Sequence, residues 1–330
     1  LKNSKIKKIY LKFKKNLDRQ KASRIAVAIS GGPDSMALAF LTKTYELENN
    51  KFFFYFIVDH KIRKDSTKEA IITKNKLNFF GINCKILTWK RKDKISNLQS
   101  SARENRYNLI FNECTKKKIN LILTAHHKND LYENFFIRLL RGSGLKGLSS
   151  FNNIKTKIIK DKDIFIYRAL LDISKNDLEF ITNKTFNFFS KDASNDDDKF
   201  LRIKIRKMLY RLNQEGLDFK KFKLTLENLF KSNQTIEFYV KENINKNSKV
   251  LENKKKIIIS KNFFNHPDEI VFRSFSEIIH NIGKRNKLTR GAKILGLIRE
   301  INYSINFKKK TLSGCIIEKF NKSIVISREI

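Results

Sequence analysis

Arg24-Ile25-Ala26-Val27-Ala28-Ile29-Ser30-Gly31-Gly32-Pro33-Asp34-Ser35 is the stretch that decides the fold. Its first six residues form a short apolar run entering a glycine turn, and Met36 to Leu47 continues as a helix. Glycines take dihedrals closed to other residues, and a helix N-terminus just behind them presents free backbone N–H groups. Strand, glycine loop and helix in this order make a seat for phosphate. Ser30, Gly31, Gly32, Pro33, Asp34 and Ser35 are therefore the candidate ATP-binding residues, with both hydroxyls donating to phosphate oxygens. Asp34 is placed to hold Mg²⁺ or the loop itself. No Gly-Lys-Ser/Thr follows, so no lysine draws charge from a γ-phosphate. Cleavage between the α- and β-phosphates is the expected chemistry.

Outward from this stretch the same alternation repeats. Residues 1–20 set Ile6, Ile9, Tyr10, Leu11, Phe13 and Leu17 among lysine pairs, the spacing of an amphipathic helix with a basic outer face. Phe52 to Val58 is a continuous apolar run, as in a strand buried on both faces of a parallel sheet. Ser66-x-x-Glu69 reads as a capping box opening a helix that stops at Gly81. Asn83 to Thr88 is a third strand, about Asn97 to Lys117 a helix, and Asn120 to Thr124 a fourth strand. This alternation predicts an α/β fold with a doubly wound, mostly parallel sheet. Ligands of such sheets sit beyond the carboxyl ends of the strands, where the Ser30 loop, Asp59-His60 and His126-His127 all fall. The pattern changes after about Phe219. Residues 220–247 and 265–305 look helical, with a polar stretch around Asn243 to Lys256, and Thr311 to Ile326 reads as a hairpin turning near Phe320-Asn321-Lys322. We expect a catalytic domain over 1–218 and a smaller, mainly helical domain over 219–330.

Length and composition agree with two cores. The chain has 330 residues, and single cores stop growing at roughly 250–300. Seventy Lys and Arg against 33 Asp and Glu leave a formal charge of +37, which points to a polyanionic partner such as RNA. Part of that excess has a blander source, a lysine-rich composition that serves no binding. Cys84, Cys114 and Cys315 lie far apart with no C-x-x-C, so neither a zinc site nor a disulfide framework is indicated, and a reducing cytoplasm is expected. No apolar run reaches the roughly 18–20 residues that a membrane span needs.

With these motifs in view, the loop resembles that of the ATP-pyrophosphatase (PP-loop) superfamily, whose fold is adenine nucleotide alpha hydrolase-like. Further motifs are similar to those of one family within it, the tRNA(Ile)-lysidine synthetases. They are Val58-Asp59-His60-Lys61-Ile62-Arg63; Gln99 with Ala102 to Tyr107; Ala125-His126-His127-Lys128-Asn129-Asp130 with Glu133; Arg141-Gly142-Ser143-Gly144-Leu145-Lys146-Gly147-Leu148; and Asp192 to Asp197 with Phe200, Arg202 and Arg206. The resemblance implies an ATP- and Mg²⁺-dependent ligase that joins free lysine to the wobble cytidine of the CAU-anticodon tRNA(Ile). The cytosine oxygen would attack the α-phosphate, releasing pyrophosphate, and the lysine amine would then displace AMP. The second step needs a neutral amine, from a group whose reference pKa is about 10.4.

Asp34, Asp59, His127, Asp130 and Glu133 are the candidate catalytic residues. Asp130 and His127 come first as bases, with Asp59 and His60 as rivals. Asp130 and Glu133 share a helix face, on which Arg141 is also expected, and would suit Mg²⁺ or a substrate ammonium; Asp34 and Asp130 are the candidate metal ligands. The bland alternative is an acidic helix start that only satisfies the helix dipole. Only one of His126 and His127 is expected to face the site, since adjacent residues at a strand end point apart. Arg103, Arg106, Arg138, Arg141, Asn195, Arg202 and Arg206 are candidates for holding tRNA or ATP phosphates, with Lys204 beside the last two. The chain departs from the family at Asn129, where a second Asp is usual, and at Ala169 and Ala193, where Pro is usual. Two other readings stay open: a PP-loop tRNA thiolation enzyme, which would need paired cysteines, and a non-catalytic RNA-binding module. Whether the chain forms a homodimer is equally open.

Overall fold

In the computed structural model, residues 3–61, 65–89, 98–151, 154–159, 162–190, 201–251, 255–285, 289–304 and 307–329 are described, without side chains over 98–103 and 154–162. The chain divides into two compact units, Leu1–Phe222 and Lys223–Ile330.

The first unit opens with α1 (Ser4–Asp18), capped by the Asn3 side chain. Ile6, Ile9, Tyr10, Phe13 and Leu17 are all buried, while Leu11 lies on the exposed face. The deciding stretch becomes β1 (Arg24–Ile29) and α2 (Pro33–Glu48). They are followed by β2 (Phe52–Asp59), α3 (Ser66–Phe79), β3 (Cys84–Thr88), α4 (Leu98–Lys116) and β4 (Leu121–Leu123). After α5 (Lys128–Leu139) and the single turn α6 (Leu145–Leu148), β5 (Ile154–Ile159) and β6 (Lys162–Tyr167) form a hairpin, and α7 (Lys175–Phe186) and α8 (Leu201–Gln214) complete the unit.

Six strands form one sheet in the order β3-β2-β1-β4-β6-β5, of which only β5 runs antiparallel. Both faces are covered. One core joins β1 and β2 to α1, α2, α3 and α7; the other packs Ala26, Phe56 and Ile122 against Ile110, Phe111 and Cys114 of α4. This explains why β1 and β2 read as unbroken apolar runs. The strand order reverses between β1 and β4, and it is beyond the carboxyl ends at such a reversal that doubly wound sheets hold their ligands.

Local chemistry differs from expectation at α3. Ser66 is the first helical residue and no side chain caps the helix; the Ser66 hydroxyl donates instead to Asp59. A buried carboxylate draws the hydroxyl away from the capping box.

The second unit carries most of α9 (Phe219–Asn247), then β7 (Ser248–Leu251), β8 (Lys256–Ile259), α10 (Asp268–Gly283), α11 (Gly291–Tyr303), β9 (Lys309–Leu312), β10 (Cys315–Phe320) and β11 (Ser323–Arg328). The expected terminal hairpin is β10–β11, and it belongs to a five-stranded antiparallel sheet, β7-β8-β11-β10-β9. Alternate residues Ile257, Ile259, Cys315, Ile317, Ile324 and Ile326 join Phe275, Ile278 and Ile282 of α10 and Ile294 and Leu297 of α11 in one core. The stretch read as polar around Asn243 to Lys256 holds β7, whose four residues are all at least partly exposed.

Candidate active site

The loop after β1 is held open by glycine and braced from within. Gly31 has φ +83°, and a Cβ there would stand 2.8 Å from Thr73 Oγ1. Ser190 N–H donates to the Gly31 carbonyl, and the Thr182 hydroxyl donates to the Pro33 carbonyl, so α7 and the segment after it fix the loop from outside. Gly32 is the N-cap of α2 without a side-chain cap; Pro33 has no N–H and the Ser35 N–H returns to the Gly32 carbonyl, which leaves the Asp34 N–H as the first-turn donor not spent within the turn. Ser35 does not face outward as expected. It is buried, its hydroxyl donates to the Gly32 carbonyl, and its oxygen lies 3.2 Å from both the Ser30 N and the Ser30 Oγ. The Ser30 N–H and hydroxyl both donate to this oxygen, so phosphate contact falls to the loop backbone and to a Ser30 hydroxyl that must leave Ser35 to make it.

Asp34 follows in the first helical turn. Its Oδ1 is buried and has no hydrogen-bond partner among the described residues, while its Oδ2 lies 3.5 Å from His127 Nε2. His127, at the carboxyl end of β4, is the N-cap of α5. Its Nδ1 accepts from the Asn129 N–H, so Nε2 carries the hydrogen, and its own N–H donates to Asp130 Oδ2. Asp130 thus closes a capping box at the helix start, where the bland reading foresaw only a carboxylate satisfying the helix dipole, and its carboxylate is buried. Burial pulls the His127 pKa down, but the bond to Asp34 and the charges of Asp130, Asp34 and Glu133 outweigh it, and the net shift is upward. Burial raises the Asp130 pKa, but His127, Arg202 and His126 overcome it and hold the carboxyl below its usual range.

The arginines of α8 complete the group. Arg202 reaches Asp130 Oδ1 through Nη2 and Glu133 Oε2 through Nε, both at 2.5 Å, and Arg206 Nε donates to Glu133 Oε1 at 2.6 Å. This corrects two expectations. Asp130 and Glu133 have their oxygens engaged and are not open to Mg²⁺ or an ammonium, and Arg202 and Arg206 direct their Nε donors to carboxylates rather than to RNA. Arg141 does not share their face: α5 ends at Leu139, Gly142 turns with φ +65°, and Arg141 is exposed.

Asp59 is likewise unsuited to be a base. It accepts from Thr67 Oγ1 at 2.7 Å, Ser66 Oγ at 2.9 Å and the Lys61 N–H at 3.0 Å. Burial alone would raise its pKa, but these donors hold it below the ordinary value. His60 Nε2 accepts from Arg106, and His126 Nδ1 meets Thr124 Oγ1 while its ring packs edge-on against Phe151. Arg138 is half-buried on α5 and Lys204 is exposed on α8. Asn195 with the rest of Asp192 to Asp197 and Phe200, Ile62-Arg63, and the side chains of Gln99, Ala102 and Arg103 lie outside the described residues. Sequence reading passed over Thr73, Thr182, Ser190 and Arg168. Arg168 is a buried residue after β6 with its guanidinium 4.4 Å over Phe151, and a lone Arg beside a strand end was its only signal.

No group of three or more His, Cys, Asp or Glu among the described residues is arranged to hold a metal. One unengaged carboxylate oxygen beside a phosphate loop nonetheless fits Mg²⁺, which takes few protein ligands and several from phosphates and water.

A family model described as a PP-loop domain matches residues 3–213. The tRNA(Ile)-lysidine synthase of Rickettsia typhi is 32% identical over 97% of this chain and 74% of its own length. The chain belongs to that family. The tRNA(Ile)-lysidine synthase of Orientia tsutsugamushi is 31% identical over 93% of the chain and 70% of its own length. Among solved structures, the U34-tRNA thiolase NcsA of Methanococcus maripaludis, determined with its [4Fe-4S] cluster, superposes with a TM-score of 0.57 over 71% of this chain and 80% of its own, at 16% identity. That likeness is one of fold. As a tRNA(Ile)-lysidine synthase family member, the chain is an ATP-using tRNA-modifying ligase. Cys84, Cys114 and Cys315 are each buried in a different core, so no cysteine pair serves sulfur transfer.

Proposed function

We propose that this enzyme ligates free lysine to the wobble cytidine of the CAU-anticodon tRNA(Ile) in two steps. The observation that carries the reading is the placement of the glycine loop and the unengaged Asp34 oxygen at the strand-order reversal, together with family membership. The loop's backbone N–H groups, that of Asp34 among them, and the Ser30 hydroxyl turned away from Ser35 would bind the phosphates and stabilise charge as the cytosine oxygen attacks the α-phosphate, releasing pyrophosphate. Asp34 would hold Mg²⁺, which supplies charge neutralisation on those phosphates. The lysine ε-amine then attacks the carbon that bears the adenylate and AMP departs. Neither of the first two candidate bases is free to take the amine proton, since His127 has Nδ1 engaged by the Asn129 N–H and a hydrogen on Nε2 and Asp130 is held ionised by His127 and Arg202, so that proton passes to water. The basic surface of a chain with formal charge +37 supports the RNA substrate.

Incubation with ATP, Mg²⁺, radiolabelled lysine and this tRNA tests the reading. Lysine should appear in the tRNA, with one pyrophosphate and one AMP per turnover; ATP binding without lysine transfer would refute it. Asp34→Ala should abolish pyrophosphate release while leaving the fold intact, and normal release from that variant would remove Asp34 from the site.

A further inference from the structure

His127 Nε2 stands between two carboxylates at nearly equal distances, 3.5 Å from Asp34 Oδ2 and 3.6 Å from Asp130 Oδ2. With Nδ1 accepting from the Asn129 N–H, the imidazole has one N–H to give, and only one of these two oxygens can receive it well. Asp130 has donors that Asp34 lacks: the His127 backbone N–H on Oδ2 and, as a full charge, Arg202 on Oδ1. Arg202 grips its Oδ1 and is itself anchored on Glu133, which Arg206 secures from the same helix. We infer that Arg202 is a positioning residue for the phosphate loop: by claiming Asp130, it leaves the His127 N–H to Asp34 and so aims the free Asp34 oxygen at the nucleotide. This rests on the reading that Asp34 serves the phosphates of ATP.

The physical case turns on why such a network is present at all. Ion pairs taken out of water stabilise little, because desolvation offsets their attraction, so their retention points to a requirement for one geometry. Asp130 and Glu133 are buried, yet the chain ends of the arrangement lie in different places: the first turn of α8 and the first turn of α2. Without Arg202, the Asp130 charge would stand uncompensated 3.6 Å from His127 Nε2 and draw the imidazole N–H to the Oδ2 that the His127 backbone already holds, away from Asp34.

Equilibrium binding of ATP to the full chain, followed by calorimetry across a Mg²⁺ titration, reads this directly and needs no turnover. Arg202→Gln should weaken binding about tenfold, the worth of one charge-assisted hydrogen bond. Arg202→Gln combined with Asp130→Asn should bind within about twofold of the native chain, because the competing charge is gone. A role confined to tying α8 to α5 predicts the opposite, since the double variant has lost the tie as well. Arg202→Lys, which keeps a charge on Asp130, should also stay near native, and it serves if the Gln variant does not fold. Unchanged binding by Arg202→Gln, a double variant as weak as the single one, or a tenfold loss with Arg202→Lys would each overturn the inference. Native binding of ATP without lysine transfer would instead refute the proposed reaction and leave this coupling standing.

Discussion

Asp59 and Gly31 carry the sharpest consequences at the level of single residues. Three donors hold Asp59 ionised, and its carboxyl has a depressed pKa against an ordinary value of 3.8. A depressed carboxyl contributes stability that is fully present above the unfolded value and is lost as pH falls through the lower folded value. Asp59→Asn should therefore cost about 2 kcal/mol at pH 7. Denaturant melts should show the gap to the native chain closing as pH falls through the depressed Asp59 value. At Gly31, alanine would carry a Cβ to 2.8 Å from Thr73 Oγ1 in a left-handed backbone. The backbone term alone is about 1–2 kcal/mol. Gly31→Ala should lower the melting temperature and weaken ATP binding together, as calorimetry with and without nucleotide would show.

Helices and strands show what could be read from one chain and what could not. β1, β2, β3 and β4 were legible because each is an apolar run beside a turn signal, and α1 because its apolar residues keep one face. The hairpin β5–β6 was not. Ile154–Ile159 carries Lys155, Thr156 and Lys157 in a row, and Lys162–Tyr167 begins with two charges, so the pair reads as polar chain until its partner strands are known. The acidic face of α5 was read correctly as a cluster, but the sequence gives no distance between Asp130 and Arg202, 72 positions apart. A carboxylate pair open to a cation and one closed by arginines look the same in sequence. The same network makes α5 and α8 depend on each other. Removing both arginines, as Arg202→Ala with Arg206→Ala, leaves Asp130 and Glu133 buried without their guanidinium partners and should cost about 3–5 kcal/mol in chemical denaturation.

Across the whole molecule, charge and core division govern behaviour. With a formal charge of +37, affinity for tRNA should fall steeply with salt, on the order of a thousandfold between 50 and 200 mM if six or more phosphates are neutralised. Filter binding at several salt concentrations would measure it; a flat response would exclude a phosphate-led interface. The second unit has its own core around Phe275, which is fully buried. Phe275→Ala should lower the unfolding transition of that unit by about 3–5 kcal/mol and leave ATP binding unchanged. The three cysteines give a way to follow this without adding any label. Cys84, Cys114 and Cys315 each sit in a separate core, with thiols pushed up by burial to about 12, 12 and 11. Folded, almost none of them is thiolate at pH 8, so none reacts. An alkylating reagent can modify each one only while its surroundings are open, and mass spectrometry of the three cysteine peptides would time the breathing of three parts of one protein in a single tube.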